Sequence, residues 1–354
     1  MPSTTLRSTA YEWQPLNCEH AEHLGGVLPT ISTSHHPSVR HRQLLVGACW
    51  FSTSAVFSTW ANTAFLQEVG SPALHVAVRF GFSAALGLAS IALYPDSIRI
   101  AQVPARLPQL AIPAACLLAA NLLNSLALKL SGITICYVVK SAIPALTVVA
   151  CVLRGERFPL AVYLTLLPTI VGVALASLSD SEFSMAGLLA AVGSTCAQTA
   201  LNLTSKQALS RLGLNGSEGQ CLLTCNCALA AVPLCLVANR GSPGGSTTPG
   251  GLTGSPSRTT VLLAAAGMAY HAEYSLNFAF VRLVSPLAFS VTDVARRLAI
   301  ILTGAALFRK QLSRTNGMGV GLALGGVLCF LLAASTPHHT PVKSRRKKLA
   351  GASR

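Results

Sequence analysis

The sequence predicts an all-α membrane protein with about ten transmembrane helices, arranged as two inverted five-helix repeats. Three observations predict it: scarce charge on an apolar chain, ten apolar runs long enough to cross hydrocarbon, and an internal echo of the sequence. Of 354 residues, 51% are hydrophobic and only 10% are charged. A soluble domain carries about a quarter charged residues. Charge this sparse cannot cover a folded chain in water, so lipid must solvate much of its outside. That excludes a large soluble helical domain. The 28 glycines fall largely within the apolar runs, where small residues let helix backbones approach closely. Most cysteines also sit in apolar runs. Cys221, Cys225 and Cys227 cluster without a nearby His or carboxylate, so they read as buried thiols, with no metal or cofactor implied.

Crossing the hydrocarbon takes about 20 mostly apolar residues. The runs are 43–66, 72–94, 107–128, 133–153, 160–178, 184–205, 219–238, 260–281, 287–308 and 315–334. Turns are marked at Pro72, Pro159 and Pro286. The segment 239–259, rich in Gly, Ser, Thr and Pro, reads as a flexible loop. The expected organisation is a polar N-terminal tail (1–42), a first repeat (43–178), a second repeat (184–334) and a basic C-terminal tail (335–354). Lys and Arg concentrate in both tails and in the loops after spans two, four, six and eight. That bias places both termini in the cytosol. The Lys343–Lys348 cluster reads as an anchor near anionic lipid.

Shifted by 154 residues, Ser131 falls on Ser285, Ile133 on Leu287 and Gly172 on Gly326. Spans four and five thus echo nine and ten. A repeat of five helices must re-enter the membrane upside down. Inverted repeats are the architecture of secondary transporters, with the substrate site at the repeat interface near the midplane.

Four cations interrupt the apolar spans: Arg79, Lys140, Arg296 and Arg297. Each costs roughly 2.5–3.5 kcal/mol at a helix centre and persists only beside a partner or a wet cavity. Lys140 and Arg296 lie at matching heights in the two copies, roughly 10 Å from the starts of their spans. Glu273 and Asp293 are the clear carboxylates at depth, too few for four cations. A cavity with surplus positive charge suits an anion. Arg offers phosphate a planar fork, and Lys a point charge. Packing against Glu273, Asp293 and backbone carbonyls is the alternative role, most open for Arg79.

The stretches Tyr137–Pro144, Leu153–Glu156 and Tyr163–Ser177, with Val284–Pro286, Arg296-Arg297, Phe308–Lys310 and Tyr270-His271, resemble the triose-phosphate translocator family of the drug/metabolite transporter superfamily. The resemblance covers roughly 45–335. It implies ten helices, inverted repeats and exchange of phosphorylated metabolites for inorganic phosphate. It also implies a phosphate clamp at Lys140, Arg296 and Arg297. Residues that read the rest of the cargo would include Arg79, Thr134, Tyr137, His271, Glu273 and Tyr274. Compared with plastid members, the chain carries Asn62-Thr63 for an Asn-Lys and Leu201 for an arginine. Glu273 stands at a tyrosine position, Tyr137 at one histidine position and Arg79 at another.

The expected function is an antiporter working by alternating access, not an enzyme. Its partners would be a phosphorylated small molecule, inorganic phosphate and the lipid bilayer, with no nucleic acid, as a monomer or homodimer. A nucleotide-sugar/nucleotide-monophosphate exchanger of the endomembrane system uses the same cations and stays open. An enzyme on lipid-linked phosphates would need acids or a metal motif that the chain lacks. A non-transporting scaffold or regulator also stays open. Residues 1–42 mix Ser, Thr and Arg with Glu12, Glu19 and Glu22, which transit peptides avoid. The preferred compartment is therefore a Golgi-type endomembrane, with a plastid envelope second.

Overall fold

The computed structural model describes residues 37–93, 100–153, 160–178, 183–240, 256–281, 283, 286–309 and 313–335. All regular structure among them is helical. Outside the described residues lie most of both tails, the Arg154–Glu156 turn, most of the 239–259 loop, Val284 with Ser285, and Lys310.

The first span is α1 (Pro37–Ser52), a π-helical turn (Thr53–Ser58) and α2 (Thr59–Val69), joined end to end. Gly70 closes it in the left-handed region (φ 62°), and its N–H bonds the Leu66 carbonyl at 2.9 Å. Absence of a Cβ makes that conformation cheap. The second span is α3 (Pro72–Leu93), with proline at its first position, where the missing N–H is no loss. A short α4 (Val103–Arg106) between two 3₁₀ turns leads into α5 (Ala111–Lys140).

Two separate helices were expected at 107–128 and 133–153. The range of α5 holds two helices that meet at Gly132, whose φ 72° and ψ −173° are not helical and separate span three from span four. A further break, not expected, falls at Ser141 and Ala142, before α6 (Ile143–Leu153). Pro144 has no N–H for the Lys140 carbonyl, and its ring crowds that carbonyl, so the helix cannot continue. The Ser141 N–H turns back to Tyr137 and Val138 carbonyls at 3.2 and 3.0 Å. Span four is therefore a split helix with Lys140 at the end of its first half.

The remaining spans are α7 (Leu160–Leu178), α8 (Met185–Leu212), α9 (Gly216–Arg240), α10 (Pro256–Val281), α11 (Pro286–Leu307) and α12 (Arg314–Ser335). Each expected apolar run falls within helix, apart from the break in span four and a residue or two at some ends. Among the described residues, His41–Val69, Pro72–Leu93, Ile100–Lys140, Gly216–Val237 and Arg314–Ala333 are long and apolar enough to cross a membrane.

Helix pairings include α5 with α8, α7 with α12, α3 with α9, α10 with the first span, and α11 with α5. By spans these are three with six, five with ten, two with seven, one with eight, and four with nine. Moving each span five places along the chain returns the same set: three with six becomes eight with one, and the other pairs are unchanged.

The α7–α12 pair is knit by small residues. A methyl group added at Gly172 would overlap the Ala323 backbone, one at Gly319 the Ala176 backbone, and one at Gly326 Thr169. Asn316 Nδ2 ties the seam by donating to the Ala176 carbonyl at 2.7 Å. Val138, Ile301, Val320, Leu324 and Phe330 continue the same apolar core inward to spans four and nine. The seam thus holds the backbones that carry Lys140, Arg296 and Arg297.

Candidate functional site

The deep polar groups come from spans one, two, four, eight and nine, and hydrogen bonds join those of spans one, eight and nine into one cluster. On α11, Asp293 is spaced three and four residues before Arg296 and Arg297, the spacing that stacks side chains on one helix face. Its Oδ1 accepts from Arg296 Nη2 at 2.6 Å and from Arg296 Nε at 3.0 Å. Its Oδ2 accepts from Arg297 Nε and lies 2.9 Å from Arg297 Nη2. One carboxylate therefore straps both guanidinium groups.

Glu273 of α10 takes the other side of Arg296. Arg296 Nη1 donates to Glu273 Oε1 at 3.1 Å and to Ser54 Oγ at 2.6 Å. Ser54 Oγ in turn donates to Glu273 Oε1 at 2.8 Å, and Ser58 Oγ donates to Oε2 at 2.6 Å. The two serines bracket the π-helical turn, whose widened pitch re-aims side chains and often marks functional sites. Thr59 Oγ1 donates to the Ser54 carbonyl at 3.0 Å, and Asn62 Nδ2 donates to Ser58 Oγ at 2.8 Å. Trp50 lies under Arg296, ring centroid to guanidinium carbon 5.1 Å.

Lys140 stands 5.7 Å from the Tyr137 ring centroid. It lies within electrostatic reach of Arg79, Arg296 and Arg297. Among the described residues it has no carboxylate in ion-pair range. Arg79 lies over the Tyr270 ring at 4.3 Å, and Tyr274 packs against Tyr270 at 4.6 Å between centroids. His271 faces Ser83 of α3, its Nδ1 3.2 Å from the hydroxyl. Thr134 is buried one to two turns before Lys140. All nine residues singled out from sequence thus lie on the helices that build this region.

Two hollows share Thr63 and Gln67, and of the candidate residues Thr134 alone lines them. The larger, about 340 Å³, is lined by Thr63, Gln67, Lys129 and Gly132 among others. The smaller, about 130 Å³, shares Thr63 and Gln67 and adds Thr134, Gly304 and Phe308. From Thr134 to Lys140, and from Gly304 back to Arg297, the helices advance about 10 Å. The side chains of Glu273 and Asp293 retain 21% accessibility, and those of Arg296 and Arg297 retain 13% and 14%, so the cluster is not sealed. Its arginine forks, ammonium group and neighbouring hydroxyls are groups able to hydrogen-bond an anion.

Sequence reading missed Ser54, Ser58 and Trp50. Hydroxyl residues are common in apolar spans, and contacts across more than 200 positions leave no local signal. The double strap by Asp293 was legible in its spacing.

Residues 41–331 match the family model described as the Triose-phosphate Transporter family. A xylulose 5-phosphate/phosphate translocator of Arabidopsis thaliana is 27% identical over 61% of this chain and 52% of its own length. A phosphoenolpyruvate/phosphate translocator of Oryza sativa subsp. japonica is 29% identical over 58% of this chain and 53% of its own. A triose phosphate/phosphate translocator of non-green plastids from Brassica oleracea var. botrytis is 25% identical over 81% and 71%. The matched part spans about half the length of the first two relatives. A crystal structure of a protein 17% identical superposes with a TM-score of 0.52, covering 84% of this chain and 99% of that one. That likeness concerns the fold alone.

Proposed function

Because this chain belongs to the triose-phosphate transporter family, we propose that it is a membrane antiporter. It exchanges a phosphorylated metabolite, a sugar phosphate or similar, for inorganic phosphate. The observation that carries this reading is Lys140: an ammonium deep in an apolar span, beside two arginines, with no carboxylate of its own among the described residues. Lys140, Arg296 and Arg297 bind the phosphate, and Thr134, Tyr137, His271 and Tyr274 contact the rest of the cargo. An occluded but empty site strands the Lys140 charge, at a cost of roughly 2.5–3.5 kcal/mol. Return of the carrier without an anion is slowed, and exchange is favoured over one-way transport.

The span pairings support two five-helix repeats that rock around the site, and inverted repeats make such rocking symmetric. The Lys and Arg bias supports cytosolic termini. The relatives reported above are named as chloroplastic or plastid proteins, which favours a plastid envelope over the Golgi-type membrane preferred from residues 1–42. A fluorescent fusion imaged in the host cell tests the compartment.

The exchange itself is tested with full-length chain in liposomes. Labelled phosphate should enter vesicles loaded with phosphate or a sugar phosphate much faster than empty ones. Lys140→Gln should slow that exchange by about 10- to 100-fold, the worth of one charge-assisted bond. Uptake indifferent to internal anion refutes the antiport reading. A panel of nucleotide sugars separates it from the nucleotide-sugar exchange left open by the sequence.

A further inference from the structure

We propose that the hollow between the first span and the start of span four is a staging site, where an incoming anion pauses on Lys129 before it reaches Lys140. This rests on the exchange function above and deepens it by naming a second binding position for the same cargo.

The hollow has the size and the chemistry for that role. Its volume of about 340 Å³ falls within the usual range for small-molecule sites, roughly 300–1,000 Å³. Leu66, Leu128 and Leu130 give it apolar wall, and Thr63, Gln67 and Lys129 give it polar groups. The ammonium of Lys129 has three N–H donors. One goes to the Gly70 carbonyl at 2.6 Å. No carboxylate of the described residues lies in ion-pair range of it. Glu68, next to Gln67, turns instead to α10, where it meets Arg258 at 3.8 Å and accepts from Thr259 at 3.4 Å.

Two hydroxyls add to the lining. Thr63 is 7% exposed and borders both hollows, and Thr134 is 2% exposed and borders the smaller. Among the described residues neither hydroxyl has a hydrogen-bond partner. Buried polar groups are normally satisfied, so these two are open to whatever fills the space. The unmatched charge beside them makes that occupant an anion.

Distance makes the hollow a separate position. Lys129 and Lys140 are no more than about 16 Å apart along the helix, too far for one phosphate to touch both. That span also exceeds the screening length of about 8 Å at physiological salt. Lys129 therefore acts by holding the anion itself, and Thr134 lies between the two positions. A concave lining of one charge sign concentrates the opposite ion. The other end of the first span is packed: Gln43 Nε2 donates to the Leu283 carbonyl at 2.6 Å, and the Trp50 and Phe280 rings stack at 5.2 Å. In this conformation the anion enters past Lys129. With both termini cytosolic, as proposed above, that is the non-cytosolic face.

The test uses full-length chain held in one orientation in phosphate-loaded liposomes, with labelled phosphate offered to each face in turn. Lys129→Gln should raise the KM on the non-cytosolic face about three- to tenfold at low salt, with kcat unchanged and the KM on the cytosolic face unchanged. Lys129→Arg should keep the wild-type KM, because it keeps the charge. Added salt should raise the wild-type KM and close most of the gap to Lys129→Gln. Thr63→Val should raise the same KM about threefold. Wild-type KM in Lys129→Gln overturns the proposal. So does an equal rise on both faces with a lowered Tm, which would make Lys129 a cap on the Gly70 carbonyl. A wild type that exchanges no phosphate overturns the function itself, and this proposal with it.

Discussion

The α7–α12 seam and the cluster around Arg296 both join the two halves of the chain, but with opposite means. Among the described residues no ion pair joins the seam. Backbones meet closely where side chains are missing at Gly172 and Gly319, Gly326 meets Thr169, and Asn316 donates to the Ala176 carbonyl. The cluster is joined by carboxylates, hydroxyls and guanidinium groups from the first span, α10 and α11. Steric contact of the first kind has no substitute partner. An arginine of the second kind can trade a carboxylate for a phosphate, because both present oxygens to the same fork. The seam is therefore suited to stay shut while the cluster changes partners, and cargo binding and helix movement belong to the cluster.

That contrast can be broken from either side. Gly172→Leu has the largest expected effect, because its side chain must displace the Ala323 backbone. Overpacking of this kind costs about 3 kcal/mol or more, and detergent-purified protein should lose its sharp elution peak. Asp293→Asn comes next. Removing one partner of a buried ion pair costs about 3 kcal/mol, so Tm should fall. Here phosphate should rescue: the rise in Tm on adding it should exceed that of the wild type, because two arginines now lack their strap. No added rescue would mean that Asp293 and phosphate do not share ligands. Ser58→Ala removes one hydrogen bond to Glu273 and should cost about 1 kcal/mol, read as a small drop in Tm with exchange retained. Gly321→Ala, whose added methyl meets open space, should stay within about 0.5 kcal/mol of wild type. A large loss there would remove the distinction between seam glycines and the others.

Much of the frame is legible without coordinates. Hydropathy locates the helices because lipid demands long apolar runs with satisfied backbones. The separation of spans three and four is read correctly and falls at Gly132, whereas the break after Lys140 is not read, although Pro144 encodes it. The cations and carboxylates of the site stand out because hydrocarbon penalises them. Which carboxylate goes to which cation is only partly readable. The Asp293 spacing to Arg296 and Arg297 encodes their pairing within one helix. The Glu273 pairing depends on how α10 meets the first span, and no local pattern records that. The π-helical turn is invisible as well, since Thr53–Ser58 contains neither glycine nor proline.

That widened turn also has an evolutionary reading. A π turn is what remains when one extra residue is accommodated inside an α-helix without unwinding it. Deleting a single residue between Thr53 and Phe57 would restore regular winding while Trp50 and the residues upstream keep nearly the same faces, because the widened turn already absorbs the extra residue. What changes is the spacing inside the turn, where Ser54 and Ser58 both reach Glu273. One codon lost there would thus alter which hydroxyls hold the glutamate, while every charged residue of the site stays in place.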